Sequence, residues 1–168
     1  TFRSSGTAYD PDGKEGRMTL TAELLSEGAG ELDTSAFTTA LEERAIQLGF
    51  GADQDTVHVG LQSLSEHQEK AFELLGLALT KPRFDETALE RVKSQMRTAI
   101  IQQQEKPDYR LDRAWKNQLF GAHPYRKPGL GTLETVETLN GDDVRFAAQH
   151  YLTRENIVIS VVGDITPA

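Results

Sequence analysis

Apolar residues along this chain recur mostly at steps of three and four, with a few stretches that alternate or run together as strands do. Residues 1–9 read as the tail of a strand, and Asp10-Pro11-Asp12-Gly13 as a turn. A helix is expected over about 16–27, stopped by Gly28 and Gly30. Thr34 or Ser35 then caps a second helix carrying Phe37, Leu41, Ala45 and Leu48, ended by Gly49. Val57, Val59 and Leu61 alternate with His58, Gly60 and Gln62, the pattern of a half-buried strand.

Ser65 should cap a third helix with Phe72, Leu75 and Leu79 inward. Asp85 opens the longest helix, to about Gln104, whose inner stripe is Leu89, Val92, Met96 and Ala99 with Ile100 beside it. Asp108 caps a shorter one with Leu111, Ala114, Trp115 and Leu119. A Gly/Pro-punctuated loop over 121–131 precedes two short helices capped by Thr132 and Asn140, and residues 157–162 read as a last strand. Helices dominate and separate the strands, so an α+β two-layer sandwich is expected, a mostly antiparallel sheet packed against several helices.

Composition narrows the function classes. At 168 residues with 38% hydrophobic content, one domain with a real core is the default. The 18 Lys+Arg against 26 Asp+Glu give a net charge of −8, and no basic cluster interrupts it, which argues against nucleic acid or an anionic membrane as partner. No Cys is present, so thiolate metal sites, disulfides and Cys nucleophiles are excluded. Ile157-Val158-Ile159, broken by Ser160, is far short of a membrane span. The chain opens on Thr1-Phe2-Arg3, so a processed or truncated chain is expected.

Local motifs add little chemistry. His58, His67, His123 and His150 include no i, i+3 or i, i+4 pair, so no helical metal pair exists. Glu66-His67 fits a charged helix start, and His58 a solvated strand face. Gly129-Leu130-Gly131-Thr132 lacks the Gly-Lys-Ser/Thr ending of a phosphate loop and reads as a turn with an N-cap. No Gly-x-Ser-x-Gly elbow occurs, and the acidic pairs Glu23/Glu27 and Glu86/Glu90 read as solvated helix faces.

Four stretches in order carry a resemblance: residues 6–16, Phe84-Asp85 with residues 89–93, residues 123–132, and residues 156–165. Together they make the chain resemble a domain of the insulinase/pitrilysin/mitochondrial-processing-peptidase family, the inverzincins. Active members carry His-x-x-Glu-His on the first helix, with a later Glu completing the zinc set. Placing Gly16 on the glycine before that motif sets Thr19, Ala22 and Glu23 at its His, Glu and His positions, and the family interval sets Ala99 at the late ligand. The resemblance therefore implies a domain without zinc or a general base.

It further implies that the chain is a single domain over 1–168, short of its first strands and followed elsewhere by a second like domain. Its role would be to shape a peptide chamber with a catalytic subunit of the same family or a second like domain, with Thr19 and Glu23 as contacts to peptide or partner. A sheet edge or apolar face left open at the start of the fragment is expected to seek a partner. Two other readings follow from the same resemblance: a zinc metalloendopeptidase whose motif lies outside these residues, and a purely structural subunit. A periplasmic or otherwise exported location is the expectation drawn from bacterial relatives.

Overall fold

The computed structural model describes residues 1–164, so Ile165, at the end of the fourth stretch, lies outside the described residues. Three strands, β1 (Phe2–Arg3), β2 (Gln47–Ala52) and β3 (Thr56–Gln62), form an antiparallel sheet in the order β1-β3-β2. Seven helices accompany it among the described residues: α1 (Arg17–Leu24), α2 (Thr34–Glu42), α3 (Gln68–Thr80), α4 (Glu86–Gln104), α5 (Pro107–Phe120), α6 (Leu133–Thr138) and α7 (Gly141–Tyr151). The expected α+β class is what forms.

Packing centres on α1. Leu20, Leu24 and Leu25 meet Leu89, Val92 and Met96 of α4, while Met18 and Ala22 meet Phe2, Val57 and Ala147 from the sheet and α7. A further cluster joins Phe37 of α2 to Ala71, Leu74 and Ala78 of α3. Three helices start on small polar residues whose side chains cap them. Thr132 and Asn140 close capping boxes on α6 and α7. Asp33, one residue before the expected cap, accepts from the Ala36 amide at 2.9 Å to start α2.

Several expectations are corrected. The first helix stops at Leu24, because the next turns tighten: the amides of Leu25, Ser26 and Glu27 bond three residues back instead of four. The second helix ends at Glu42, not at Gly49. Ala45 turns into the left-handed region (φ 49°), the Ile46 amide closes on the Leu41 carbonyl at 2.9 Å, and Leu48, Phe50 and Ala52 alternate as β2. α3 buries Ala71, Leu74 and Ala78, while Phe72 is 45% exposed, so the stripe expected to face inward borders an open groove.

Lys106 rather than Asp108 caps α5, with Pro107 at the first helical position. On α4, Ala99 is only half-buried and the inner stripe passes through Ile100. The last strand is not formed: Ile157 bridges Phe2 and Val158 pairs with Thr1, but beyond them no described residue offers a partner. A β pattern without a neighbour to bond to stays irregular.

Candidate functional site

The residues expected at the family's metal and base positions lie on α1 and α4, and the route into α1 fixes the first three of them. Gly16 is its N-cap in the left-handed region (φ 94°), where a Cβ would stand 2.7 Å from the Leu130 carbonyl oxygen. Gly131 (φ 78°) is tighter, with a Cβ 2.2 Å from the Glu15 carbonyl oxygen. Two stretches of the resemblance, 6–16 and 123–132, thus press backbone against backbone. The Lys127 ammonium donates to the Asp10 carbonyl at 2.6 Å and pairs with the Asp12 carboxylate at 2.9 Å. Thr135 Oγ1 donates to the Glu15 carbonyl at 2.9 Å.

Asp10 sits under the start of α1 and accepts from the amides of Gly16 (3.0 Å) and Met18 (3.1 Å), where the helix dipole favours an acid. Arg17 lies 3.5 Å from it, buried, with its guanidinium over the rings of Phe146 and Tyr151. Burial pushes the Asp10 carboxyl up to about 7, against the opposing pull of Arg17 and the two amides. Both side chains are buried, Asp10 at 2% and Arg17 at 4% exposure. The pair is a structural clamp on the helix start.

Each expected site residue has a definite place. Thr19 is half-buried and its hydroxyl donates to the Gly129 carbonyl at 2.7 Å, so it ties α1 to the glycine loop. Ala22 is 1% exposed within the core formed with Phe2 and Val57. Glu23 is exposed, and partial burial together with the charge of Glu27 raises its pKa. Ala99 sits half-buried on α4 with no donor atom. Thr19, Ala22 and Glu23, offset by three and four, thus meet a loop, the core and solvent respectively. Among the described residues, no three His, Asp or Glu side chains gather as a metal site.

Sequence reasoning missed the free edge of β2. The turn closes with the Asp53 amide on the Thr56 carbonyl at 2.9 Å, and the Asp53 carboxylate accepts from the amides of Asp55 and Thr56 at 2.9 and 2.7 Å. Stepping by two from that closure, Gly51, Gly49 and Gln47 bond to β3, so the amides and carbonyls of Leu48, Phe50 and Ala52 point outward. Beside this edge lies an open groove of about 700 Å³ between β2 and Thr38, Leu41 and Glu42 of α2. The signal was present: Leu48-Gly49-Phe50-Gly51-Ala52 alternates, and Asp53-Gln54-Asp55 is turn chemistry.

Comparison with known proteins fits this geometry. The profile of the insulinase family (peptidase family M16) matches residues 4–133. A relative from Helicobacter pylori, named non-peptidase homolog YmxG, is 30% identical over 98% of this chain and 38% of its own length. A Bacillus subtilis protein named uncharacterized zinc protease YmxG is 32% identical over 61% of this chain and 25% of its own. The crystal structure of a peptidase M16 inactive domain from Pseudomonas fluorescens superposes with TM-score 0.82 at 26% identity, covering 87% of this chain and 36% of that one. The chain thus spans well under half the length of these relatives, and it belongs to the insulinase family of peptidases, family M16.

Proposed function

We propose that this chain is a non-catalytic M16 domain that holds an extended peptide for a catalytic partner of the same family. The observation that carries the reading is the use made of α1: Thr19 spends its hydroxyl on the Gly129 carbonyl, and Ala22 is core. Zinc wants three protein ligands and a water, and Glu23 alone supplies one carboxylate. These residues do not fit the family's metal. The names of the H. pylori relative and the P. fluorescens domain support the same reading.

Peptide holding falls to the β2 edge. A strand adding there would bond to the outward amides and carbonyls of Leu48 and Phe50, with alternate side chains entering the groove against α2. Chemistry on that peptide would come from the partner, and an exported location belongs to the same proposal. The domain would be one half of a chamber, with its like-folded counterpart either on the same chain or on another.

The test is metal analysis with peptide binding on the full-length protein. Zinc far below one per chain and no cleavage of an unstructured peptide are expected, while the peptide still binds. Leu48→Pro deletes one edge donor and should weaken binding about 2- to 10-fold more than Leu48→Ala, which keeps the donor and controls for the packing Leu48 loses against the Phe37 cluster. Stoichiometric zinc that chelators remove together with activity would favour the competing reading, a catalytic motif elsewhere in a longer protein. The name of the B. subtilis relative supports that alternative.

A further inference from the structure

The turn that joins α3 to α4 has a locked backbone. The Gly30 amide donates to the Lys81 carbonyl at 2.8 Å, Pro82 bridges Ala29, and the Arg83 amide donates to the Gly28 carbonyl at 3.2 Å. Phe84 holds a left-handed backbone (φ 52°), which a bulky residue adopts only where its surroundings dictate it, and its ring is buried. One side of α7 faces this turn, with Arg145, Ala148, Gln149 and Leu152 at helical spacing. Between them lies a groove of about 280 Å³, floored by Leu79, Phe84, Ala148 and Leu152. Its lining comes from residues 79–84 and 145–152, away from both ends of the sequence.

The charge of this groove runs against that of the chain. The whole sequence carries −8, and the groove beside β2 is bordered by Glu42. Among the described residues that line this one stand Lys81, Arg83 and Arg145, and no carboxylate. Arg83 is already engaged: it donates to Asp85 at 2.7 Å and to the Gly30 carbonyl at 3.3 Å, with Asp33 and Glu31 also acting on it. The other two are available. Lys81 is exposed and has no carboxylate partner among the described ion pairs. Arg145 reaches Asp142 at 2.9 Å, three residues back on α7, but the two side chains are 51% and 92% exposed. A pair that open to water is worth little and gives way to a better-placed acceptor, and the guanidinium has further N–H donors to offer. The turn thus brings an ammonium and α7 a guanidinium to the rim of one apolar floor.

We infer that this groove docks a short acidic segment of a partner protein, with one apolar side chain seated over Phe84 and a neighbouring carboxylate held by Lys81 and Arg145. Volume sets the size of the guest: small-molecule sites run to about 300–1,000 Å³, and a groove just below that range takes one or two side chains. Charge sets its sign, since a basic segment would meet two cations and a neutral one would leave them unanswered. Charges more than about 8 Å apart are screened at physiological salt, so the net −8 of the chain does not keep an acidic segment from this local pair. An apolar anchor beside a charge-assisted hydrogen bond is the pairing that concentrates binding energy in a small contact. The locked turn also means that the floor is formed before the guest arrives, which lowers the ordering cost of docking. The inference does not rest on the peptide edge of β2, which none of these residues builds.

The test pans random heptapeptides displayed on phage against the full-length protein, after depletion on its Lys81→Gln/Arg145→Gln double variant. Depletion removes peptides that bind elsewhere, those on the β2 edge included. Survivors should carry Asp or Glu beside Leu, Ile or Phe. A synthetic copy of the leading peptide should bind the natural protein at least about 10-fold more tightly than the double variant. Changing its acid to the corresponding amide should erase most of that difference, and added salt should weaken binding. Lys70→Gln, which removes a cation of α3 outside the groove, should leave binding unchanged, and all variants should melt with the natural protein. Acetylation by acetic anhydride, read by mass spectrometry, should reach Lys81 in the free protein and be blocked by saturating peptide. A Lys81 that resists acetylation without peptide would mean that another part of the protein covers the groove, and would overturn the proposal. So would survivors without an acid, equal binding by the double variant, or no survivors above the depleted background.

Discussion

α4 and α5 follow one another with two residues between them, and both carry an apolar stripe at helical spacing, yet only one stripe is covered. Leu89, Val92, Met96 and Ile100 of α4 are buried against α1 and the short α6. Leu111, Trp115 and Leu119 of α5 are 70%, 62% and 58% exposed, and no residue of that helix is buried. α5 makes its main contacts with α4 and the Pro124–Arg126 turn, where Arg113 donates to the Arg126 carbonyl. Periodicity establishes that a helix has an apolar face; the elements lying opposite decide whether the face belongs to this domain's core or is left for something else.

Paired truncations sharpen that contrast most. Leu89→Ala opens a cavity in a fully packed cluster and should cost about 2–5 kcal/mol in denaturant unfolding. Trp115→Ala removes a larger side chain and should change stability by within about 0.5 kcal/mol. Equal losses would break the comparison and mean that α5 is packed in solution. Next in size is Lys93, the buried cation of α4, which donates to the carbonyls of Leu139 at 3.0 Å and Glu137 at 3.3 Å at the end of α6. Lys93→Met keeps the stem but leaves both carbonyls without their donor, and should cost about 1–3 kcal/mol by the same measurement.

The contrast also marks what was legible. α4, α6 and α7 could be read from the sequence because caps and stripes agreed, with Thr132 and Asn140 placed before short apolar runs. β2 could not, because Phe37, Leu41, Ala45 and Leu48 continue a helical step across a backbone reversal at Ala45, whose positive φ has no side-chain signature in alanine. The inner face of α3 was misassigned for a related reason. Phe72, Leu75 and Leu79 form a stronger stripe than Ala71, Leu74 and Ala78, but the small residues are the ones pressed against α2 and the sheet. At the site, the residue types Thr19, Ala22 and Glu23 could be read directly, while the Thr19–Gly129 tie could not, because it joins positions 110 apart.

A pH series probes the packed side further. Asp10 has its pKa raised by burial to about 7, above its ordinary value of 3.8, so the folded state binds its proton more tightly than the unfolded chain does. Between about pH 4 and 7 the folded protein therefore carries more protons, and stability falls as pH rises, levelling off above 7. Glu23, also raised, acts in the same direction. Asp12, held low by its bond to Lys127, adds stability that is lost only as pH falls below its ordinary range. Melting temperatures across pH 4–8 should show the decline in the natural protein, and Asp10→Asn should flatten it. A decline of equal slope in that variant would assign the titration to another group.

The smallest effect on stability is expected at Glu23, which stands to its own helix as the α5 stripe stands to the domain: exposed beside residues that are fully packed. Its neighbours on α1, Ala22 and Leu24, are core, and Glu27 is paired with Arg91, but Glu23 has no cation of its own among the described ion pairs. Partial burial first, and then the like charge of Glu27 a helical turn away, raise the pKa of Glu23. Glu23→Ala should therefore leave unfolding within about 0.5 kcal/mol of the natural protein, with any change toward higher stability. If the carboxylate serves as an acidic contact, the same variant should lose affinity for a basic peptide or for the partner, and the loss should shrink at high salt. Calorimetric titration at two ionic strengths, alongside melting curves, separates the outcomes. A drop of several degrees in melting temperature with unchanged affinity would make Glu23 part of the packed domain and remove it from the contact surface.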